Sequence, residues 1–242
     1  MRMPVEYLLV PIAFLTSTLT GVIGMGGGVL LLACMPGLLP VAAIFPLHAA
    51  TQLASNATRA LFGWREIQWS IVAPVALGAA LGAVLGGSVY GSLNLHWLPA
   101  IVGVLILLIT WVPLPSLPGA GRWSLVLLGL YQTGLGMLAG ATGPLGAAVL
   151  ARRNPRRDWV VVNTGVYMVI SHVFRLFAFT AIGFSFAGWW PLLLALITAV
   201  SVGSWVGTRL RHSVPQMDFR RWFRLLVSLL ALRMIALPLL GD

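Results

Sequence analysis

Long apolar stretches follow one another along almost the whole chain, separated by short polar turns. They fall at Val5–Ala33, Val41–Gly63, Trp69–Gly91, Trp97–Val112, Ser124–Ala151, Trp159–Ile182, Trp189–Leu210 and Trp222–Leu240. About 20 apolar residues suffice for a helix to cross the hydrocarbon core of a bilayer. The pattern therefore predicts an all-α polytopic membrane protein. Five segments open on or beside tryptophan (Trp69, Trp97, Trp159, Trp189, Trp222), as expected where amphipathic rings sit at the headgroup level. The first and fifth segments are the longest, and glycine breaks both near the middle. The breaks are Gly24-Met25-Gly26-Gly27-Gly28 and Gly140-Ala141-Thr142-Gly143-Pro144.

The second glycine cluster follows the first by 116 residues, and two further patterns share that offset in the same order. Ser55, Asn56 and Arg59 are echoed by Ser171, His172 and Arg175; Gly87, Ser88 and Gly91 by Gly203, Ser204 and Gly207. The proline-rich stretch from Pro113 to Arg122 is the clearest linker. It divides the chain into two membrane repeats, 1–116 and 117–242, each of four hydrophobic segments and both parts of one transport domain. If the broken segments cross the membrane, the repeats are parallel. If they turn back as re-entrant hairpins, three crossings per repeat make the halves inverted. With hairpins, Arg65, Arg122, the cluster from Arg152 to Arg157, Arg209, Arg211, Arg220 and Arg221 share one face. Arginine-rich loops lie on the cytoplasmic side, so this distribution favours hairpins with both termini outside.

Composition narrows the reading. The chain is 59% hydrophobic and 8% charged, and all fifteen basic residues are arginine. Its formal net charge of +10 is explained by loops between membrane spans, so no nucleic-acid partner is expected. The five acids (Glu6, Glu66, Asp158, Asp218, Asp242) all lie near helix ends or termini. No carboxylate is thus expected at mid-membrane, where many cation-coupled carriers keep one. Cys34 is the sole cysteine, which rules out an intrachain disulfide and a cysteine metal cluster. No metal or cofactor is expected. The first apolar run, with Glu6 and no small-residue cleavage site, reads as a membrane segment and not a cleaved signal.

A broken helix leaves backbone N–H groups that must be satisfied inside the bilayer. The half-helix after Gly28 aims such groups and the positive end of its dipole at the break. This makes Gly26, Gly27 and Gly28 a candidate anion cradle, with Gly140, Thr142 and Gly143 as its second copy. His48, Gln52, Asn56 and Arg59 are spaced i, i+4, i+8 and i+11, within about 80° of one helix face at ~100° per residue. Thr164, His172 and Arg175 stand in the second copy. No acid is close in sequence to either arginine; an anionic ligand is one candidate partner and backbone carbonyls are another. For Gly26 to Gly28 the ligand reading outweighs helix packing. For Gly87, Gly91, Gly203 and Gly207 close packing is preferred. Arg59 is equally compatible with snorkelling to the headgroups, and Arg175 lies deeper. His48 and His172 are the candidate proton sites, being the intramembrane groups that titrate near neutrality; His172 reads equally well as a hydrogen-bonded core residue.

The stretch Thr20 to Gly28, the proline-rich turn from Pro36 to Pro46, and Ala49 to Arg59 with its asparagine resemble the TauE/SafE sulfite-exporter family of bacterial membrane permeases. The resemblance spans essentially the whole chain and is looser in the second half, where Thr142-Gly143-Pro144 replaces a glycine run and His172 stands for Asn56. It implies export of sulfite, or of a small organosulfonate such as sulfoacetate, across the bacterial inner membrane. The expected mechanism is alternating access around two facing helix breaks, with a small sulfur-containing anion and the lipid bilayer as partners and a homodimer left open. The rival readings are an intramembrane enzyme acting on a lipid phosphate and a membrane assembly factor.

Overall fold

A computed structural model describes residues 4–24, 26–112, 121–140, 143–211, 213 and 220–240. Among them the architecture is all-α. The helices are α1 (Leu9–Ile23), α2 (Gly27–Cys34), α3 (Val41–Phe62), α4 (Val72–Ser92), α5 (Leu98–Trp111), α6 (Arg122–Ala139), α7 (Gly143–Arg153), α8 (Arg157–Ala181), α9 (Trp190–Leu210) and α10 (Arg220–Leu240). A single 3-10 turn, Val5–Leu8, leads into α1. Four stretches are long and apolar enough to cross a membrane: Val5–Ile23, Trp69–Ser92, Arg157–Ala181 and Ala187–Leu210. The eight hydrophobic segments coincide with these helices to within a few residues, the first and fifth each divided in two.

The division has a local cause. Gly24 ends α1 with φ +97°, its N–H bonded to Thr20 O at 2.7 Å. Gly140 ends α6 with φ +68°, its N–H bonded to Gly136 O at 3.0 Å. This left-handed conformation costs a glycine little and any residue with a Cβ much more. After Gly24 the chain reverses. The Gly27 N–H donates to Thr20 Oγ1 at 2.9 Å, and a Cβ at Gly27 would run into the carbonyl oxygen of Thr16. On a continuous helix residues 16 and 27 would stand ~16 Å apart at ~1.5 Å per residue. α1 and α2 therefore form a hairpin.

Helices of the first half pack chiefly on helices of the second. α1 runs along α9, α4 along α6, α3 along α8, and α5 along α10. Glycine brings several of these pairs close, Gly103 of α5 against Ala231 of α10 among them. A Cβ at Gly78, Gly82 or Gly86 would strike the backbone of Val126, Leu130 or Gly134 on α6, and Gly129 is held equally tightly against Val75. On the other side Gly203 and Gly207 of α9 abut the backbone of Phe14 and Thr18 on α1. The packing expectation thus holds for Gly203 and Gly207 but not for their echoes. Gly91 has nothing within 4 Å and Gly87 only ordinary side-chain contacts. The close face of α4 is the i, i+4 row through Gly78, Gly82 and Gly86, because that row faces α6.

Several polar contacts gather at one end of the bundle. Arg156 pairs with Glu66, Arg153 donates to Gly121 O at 2.6 Å, and Arg211 bonds Asp158 at 3.0 Å. Asn163 joins the turn after α3 to α8, accepting from Gln68 N at 2.8 Å and donating to Glu66 O at 2.9 Å.

Gly82→Leu forces α4 away from α6, and overpacking of this kind typically costs at least ~1–3 kcal/mol. It is expected to lower the melting temperature in detergent and the yield of monodisperse protein. Gly91→Leu, at an open position, is expected to leave both unchanged. Equal tolerance of the two substitutions would contradict this packing.

Candidate anion site

α3 and α8 cross in opposite directions. Gly63 lies beside Val162, Gly165 beside Asn56 and Ala60, and the His48 ring 6.4 Å from that of His172. The helical spacing read from the sequence places a polar stripe on α3 against this partner. All of it is removed from solvent: His48, Gln52, Asn56, Arg59, Thr164, His172 and Arg175 are buried.

Each arginine is held by the helix break of its own half. Arg59 Nη1 donates to Gly24 O at 3.3 Å and its Nη2 to Asn56 Oδ1. Arg175 Nη1 donates to Gly140 O at 3.3 Å and lies 3.3 Å from His172 Nδ1. Each partner in the second set follows its counterpart in the first by 116 residues. The carbonyls concerned cap the C-termini of α1 and α6, where unsatisfied oxygens and the negative end of the helix dipole favour a cation. Of the two candidate partners for the arginines, backbone carbonyl is thus present, but only for part of each guanidinium. Arg59 Nε, Arg175 Nε and Arg175 Nη2 are buried with no hydrogen-bond partner. Among the described residues neither arginine is paired with a carboxylate.

The histidines extend the set. The Arg175 N–H requires His172 Nδ1 as acceptor, so a neutral His172 carries its proton on Nε2, which has no partner. His48 Nε2 lies 2.9 Å from Gly28 O and must donate to it, leaving Nδ1 as an unpartnered acceptor. Asn56 Nδ2 donates to Gln52 O at 2.6 Å, and the Gln52 amide lies against Gly28. Gly27, by contrast, has its N–H engaged by Thr20 and serves as the point where α2 closes on α1. Thr142 lies outside the described residues, and Gly143 opens α7.

The two breaks do not face each other at one level, as the sequence reading expected. Gly24 lies beside Val161, and Gly140 beside Phe45 and Arg175. Val161 and Arg175 are fourteen residues apart on α8, or ~20 Å at ~1.5 Å per residue. The breaks are staggered towards opposite ends of the α3–α8 pair, with the two histidines between them. The reason is geometric: α3 and α8 run in opposite directions, so residues at one offset are at different heights.

Sequence reasoning missed two groups. Ser17, Ser55 and Ser204 form a buried hydroxyl cluster joining α1, α3 and α9, with oxygen separations of 2.7 to 3.1 Å. Thr133 and Ser171 repeat part of it at 3.0 Å. Ser204 had been read only as part of a repeated pattern. The second group is Arg157 and Arg211, read only as topology signals. Arg211 Nε donates to Gly21 O at 2.9 Å and Arg157 Nη2 to Val22 O at 2.7 Å. The last turn of α1, which carries no basic residue of its own, thus receives three guanidiniums from α3, α8 and α9.

A helical membrane protein with buried, incompletely partnered guanidiniums beside two broken helices has the makings of a carrier for an anion. Comparison with known families agrees. The family model for the sulfite exporter TauE/SafE matches residues 9–234, and the chain belongs to that family of membrane transporters. Comparisons with curated proteins and with solved structures give no match.

If Arg59 lacks negative charge, Asn56→Asp supplies it where the asparagine oxygen now stands. A hydrogen bond to a charged group contributes ~1.5–3 kcal/mol, more than the ~0.5–1.5 kcal/mol of the neutral Nδ2 bond to Gln52 O that the aspartate gives up, so this variant is expected to melt higher than the parent in anion-free buffer. Asn56→Leu is expected to melt lower. A comparable loss of stability in both would show that Arg59 is not short of a counter-charge.

Proposed function

We propose that this protein exports sulfite, or a small organosulfonate such as sulfoacetate, across the bacterial inner membrane by alternating access. One observation carries the reading: Arg59 and Arg175 are buried, each retains unpartnered N–H groups, and among the described residues neither has a carboxylate. An isolated charge at membrane depth costs at least ~2.5–3.5 kcal/mol on insertion scales. Bound anionic cargo would offset that charge and accept from the N–H donors left free. Family membership supplies the sulfur chemistry of the cargo; the guanidiniums explain only why the cargo is an anion.

The repeats 1–116 and 117–242 would provide the two access states. Their support is the recurrence, at one offset, of the Arg59–Gly24 and Arg175–Gly140 bonds and of the Ser17–Ser55 and Thr133–Ser171 bonds. Inversion is supported by the antiparallel course of α3 and α8. The re-entrant reading of the first segment is supported by the reversal at Gly24. The gathering of Glu66, Gly121, Arg153 and Arg156 at one end fits an arrangement in which the arginine-rich loops share the cytoplasmic face. Outward movement of an anion needs no coupling ion, since an inside-negative potential drives it at ~2.3 kcal/mol per charge per 100 mV. Because the arginines and histidines are buried, release to either side requires the helices around α3 and α8 to part.

Purified protein in liposomes loaded with sulfite, sulfoacetate, sulfate, phosphate or chloride provides the test. Efflux of sulfite or sulfoacetate is expected, faster under a potential negative on the loaded side, and reduced at least tenfold in Arg175→Gln. Efflux of none of these anions would dismiss the proposal. Cysteine introduced at Arg65, Arg122 or Arg156 in a Cys34→Ser background should react with an impermeant thiol reagent from the cytoplasmic face alone. Reaction of Arg65→Cys and Arg156→Cys from opposite faces would remove the hairpin arrangement.

A further inference from the structure

Arg59 and Arg175 share no partner. The first is bonded to Gly24 and Asn56, the second to Gly140 and His172. Their helix breaks are staggered by ~20 Å along α8 at ~1.5 Å per residue. In a helix the Cα–Cβ bond tilts towards the N-terminus, and both side chains follow it, each reaching the residue three positions earlier. Each guanidinium thus turns towards the middle of its helix while remaining with its own break. A sulfite-sized anion, one sulfur and three oxygens across, spans only a few bonds and cannot satisfy both at once.

We infer that the chain carries two separate anion stations, one at Arg59, Asn56 and Gly24 and the other at Arg175, His172 and Gly140. The inference rests on the anion-carrier reading and specifies how that carrier is built. The stations differ in what they offer. At the first, both amide groups of Asn56 are already engaged, with Gln52 O and Arg59, so Arg59 Nε is the buried donor left over. At the second, Arg175 Nε, Arg175 Nη2 and His172 Nε2 are all unpartnered. More free donors converge on the second station, so it binds the anion more tightly. Between the stations lies the His48–His172 pair, with rings 6.4 Å apart. His172 belongs to the second station and also faces this gap, so its Nε2–H can donate a hydrogen bond to an anion passing from Arg175 towards Arg59. His48 brings a backbone-anchored ring to the other side, its Nε2 held by Gly28 O.

Equilibrium binding of radiolabelled sulfite to the purified full chain, with unlabelled sulfoacetate as competitor, decides the matter. The parent is expected to bind two sulfite ions per chain with distinct affinities. Arg175→Gln should retain only the weaker site, Arg59→Gln only the tighter, and the double variant neither. Gel filtration reports whether each variant is folded. Should a glutamine variant fail that check, Arg59→Lys and Arg175→Lys keep the charge but lose the planar donor fork, and each is expected to weaken one site alone. One site per chain, lost or weakened equally by either substitution, would overturn the inference while leaving the anion-carrier reading in place. No sulfite bound by folded parent protein would overturn both.

Discussion

The free carbonyls at the end of a broken helix, and the cations that reach them, are the constraint on which the rest of this molecule depends. A helix that stops within the bundle leaves several C=O groups without partners, and those that are buried must find donors in the protein. α1 resolves this with three arginines, Arg59, Arg157 and Arg211, drawn from three other helices. Each arginine in turn becomes tolerable at depth because those oxygens and the helix dipole offset part of its charge. The remainder of that charge differs with position. Arg211 passes it to Asp158, whereas Arg59 has only an amide oxygen in addition to its carbonyl. Arg211 and Arg59 thus differ, among the described residues, in the presence or absence of a carboxylate on the far side.

Bringing those arginines to α1 requires α8 and α9 to approach closely, and glycine makes that approach feasible. Lipid tails are as apolar as leucine, so membrane helices gain little from hydrophobic burial alone and depend on close packing and interhelical hydrogen bonds. Gly203 and Gly207 let α9 settle on α1 so tightly that Ser204 reaches both Ser17 and Ser55. Gly78, Gly82 and Gly86 do the same for α4 against α6. These pairs fix the broken helices laterally. The polar face of α3 is then left opposite that of α8, and the site is a consequence of where the glycines allow backbones to meet.

Much of this was legible in the sequence. The apolar segments mark the helices to within a few residues because hydropathy is a local property. The common offset picks out Asn56 with Arg59 and His172 with Arg175, and those pairs are bonded. The glycine clusters mark the turns because only glycine readily adopts the positive φ that Gly24 and Gly140 require. The height of each break was not legible. It depends on which helix lies beside which and in what direction, and residues related by a repeat carry no information about level when the helices run oppositely. The tight face of α4 was missed for a similar reason: Gly87 and Gly91 match Gly203 and Gly207 in offset, but α4 turns another row towards its partner. Arg157 and Arg211 were read as loop charges because nothing in their own segments reveals that carbonyls of α1 lie within reach.

The halves are alike in plan and unlike in detail, and the differences fall where an alternating carrier would feel them. In a symmetric pair of inverted repeats the two access states would be equal in energy, and cargo would move with no structural bias. Here the end near Gly24 is fastened by Arg157 and Arg211 to α1, with Asp158 completing the pair. The positions that correspond to them in the first half are Val41, Leu95 and Ala42, which can make no such bonds. The hydroxyl cluster shows the same inequality: Ser204 joins Ser17 and Ser55, whereas its counterpart Ser88 faces outward and bonds only Leu85 O in its own helix. Polar fastening has to be broken to open one end, and apolar packing to open the other. On the anion-carrier reading proposed above, cargo would bind to the guanidinium donors left free beside the break carbonyls and so bear on that difference. Incomplete satisfaction of the arginines by backbone and an unequal fastening of the two ends are therefore parts of one problem. Among the described residues, Arg59 and Arg175 are left without a carboxylate of their own.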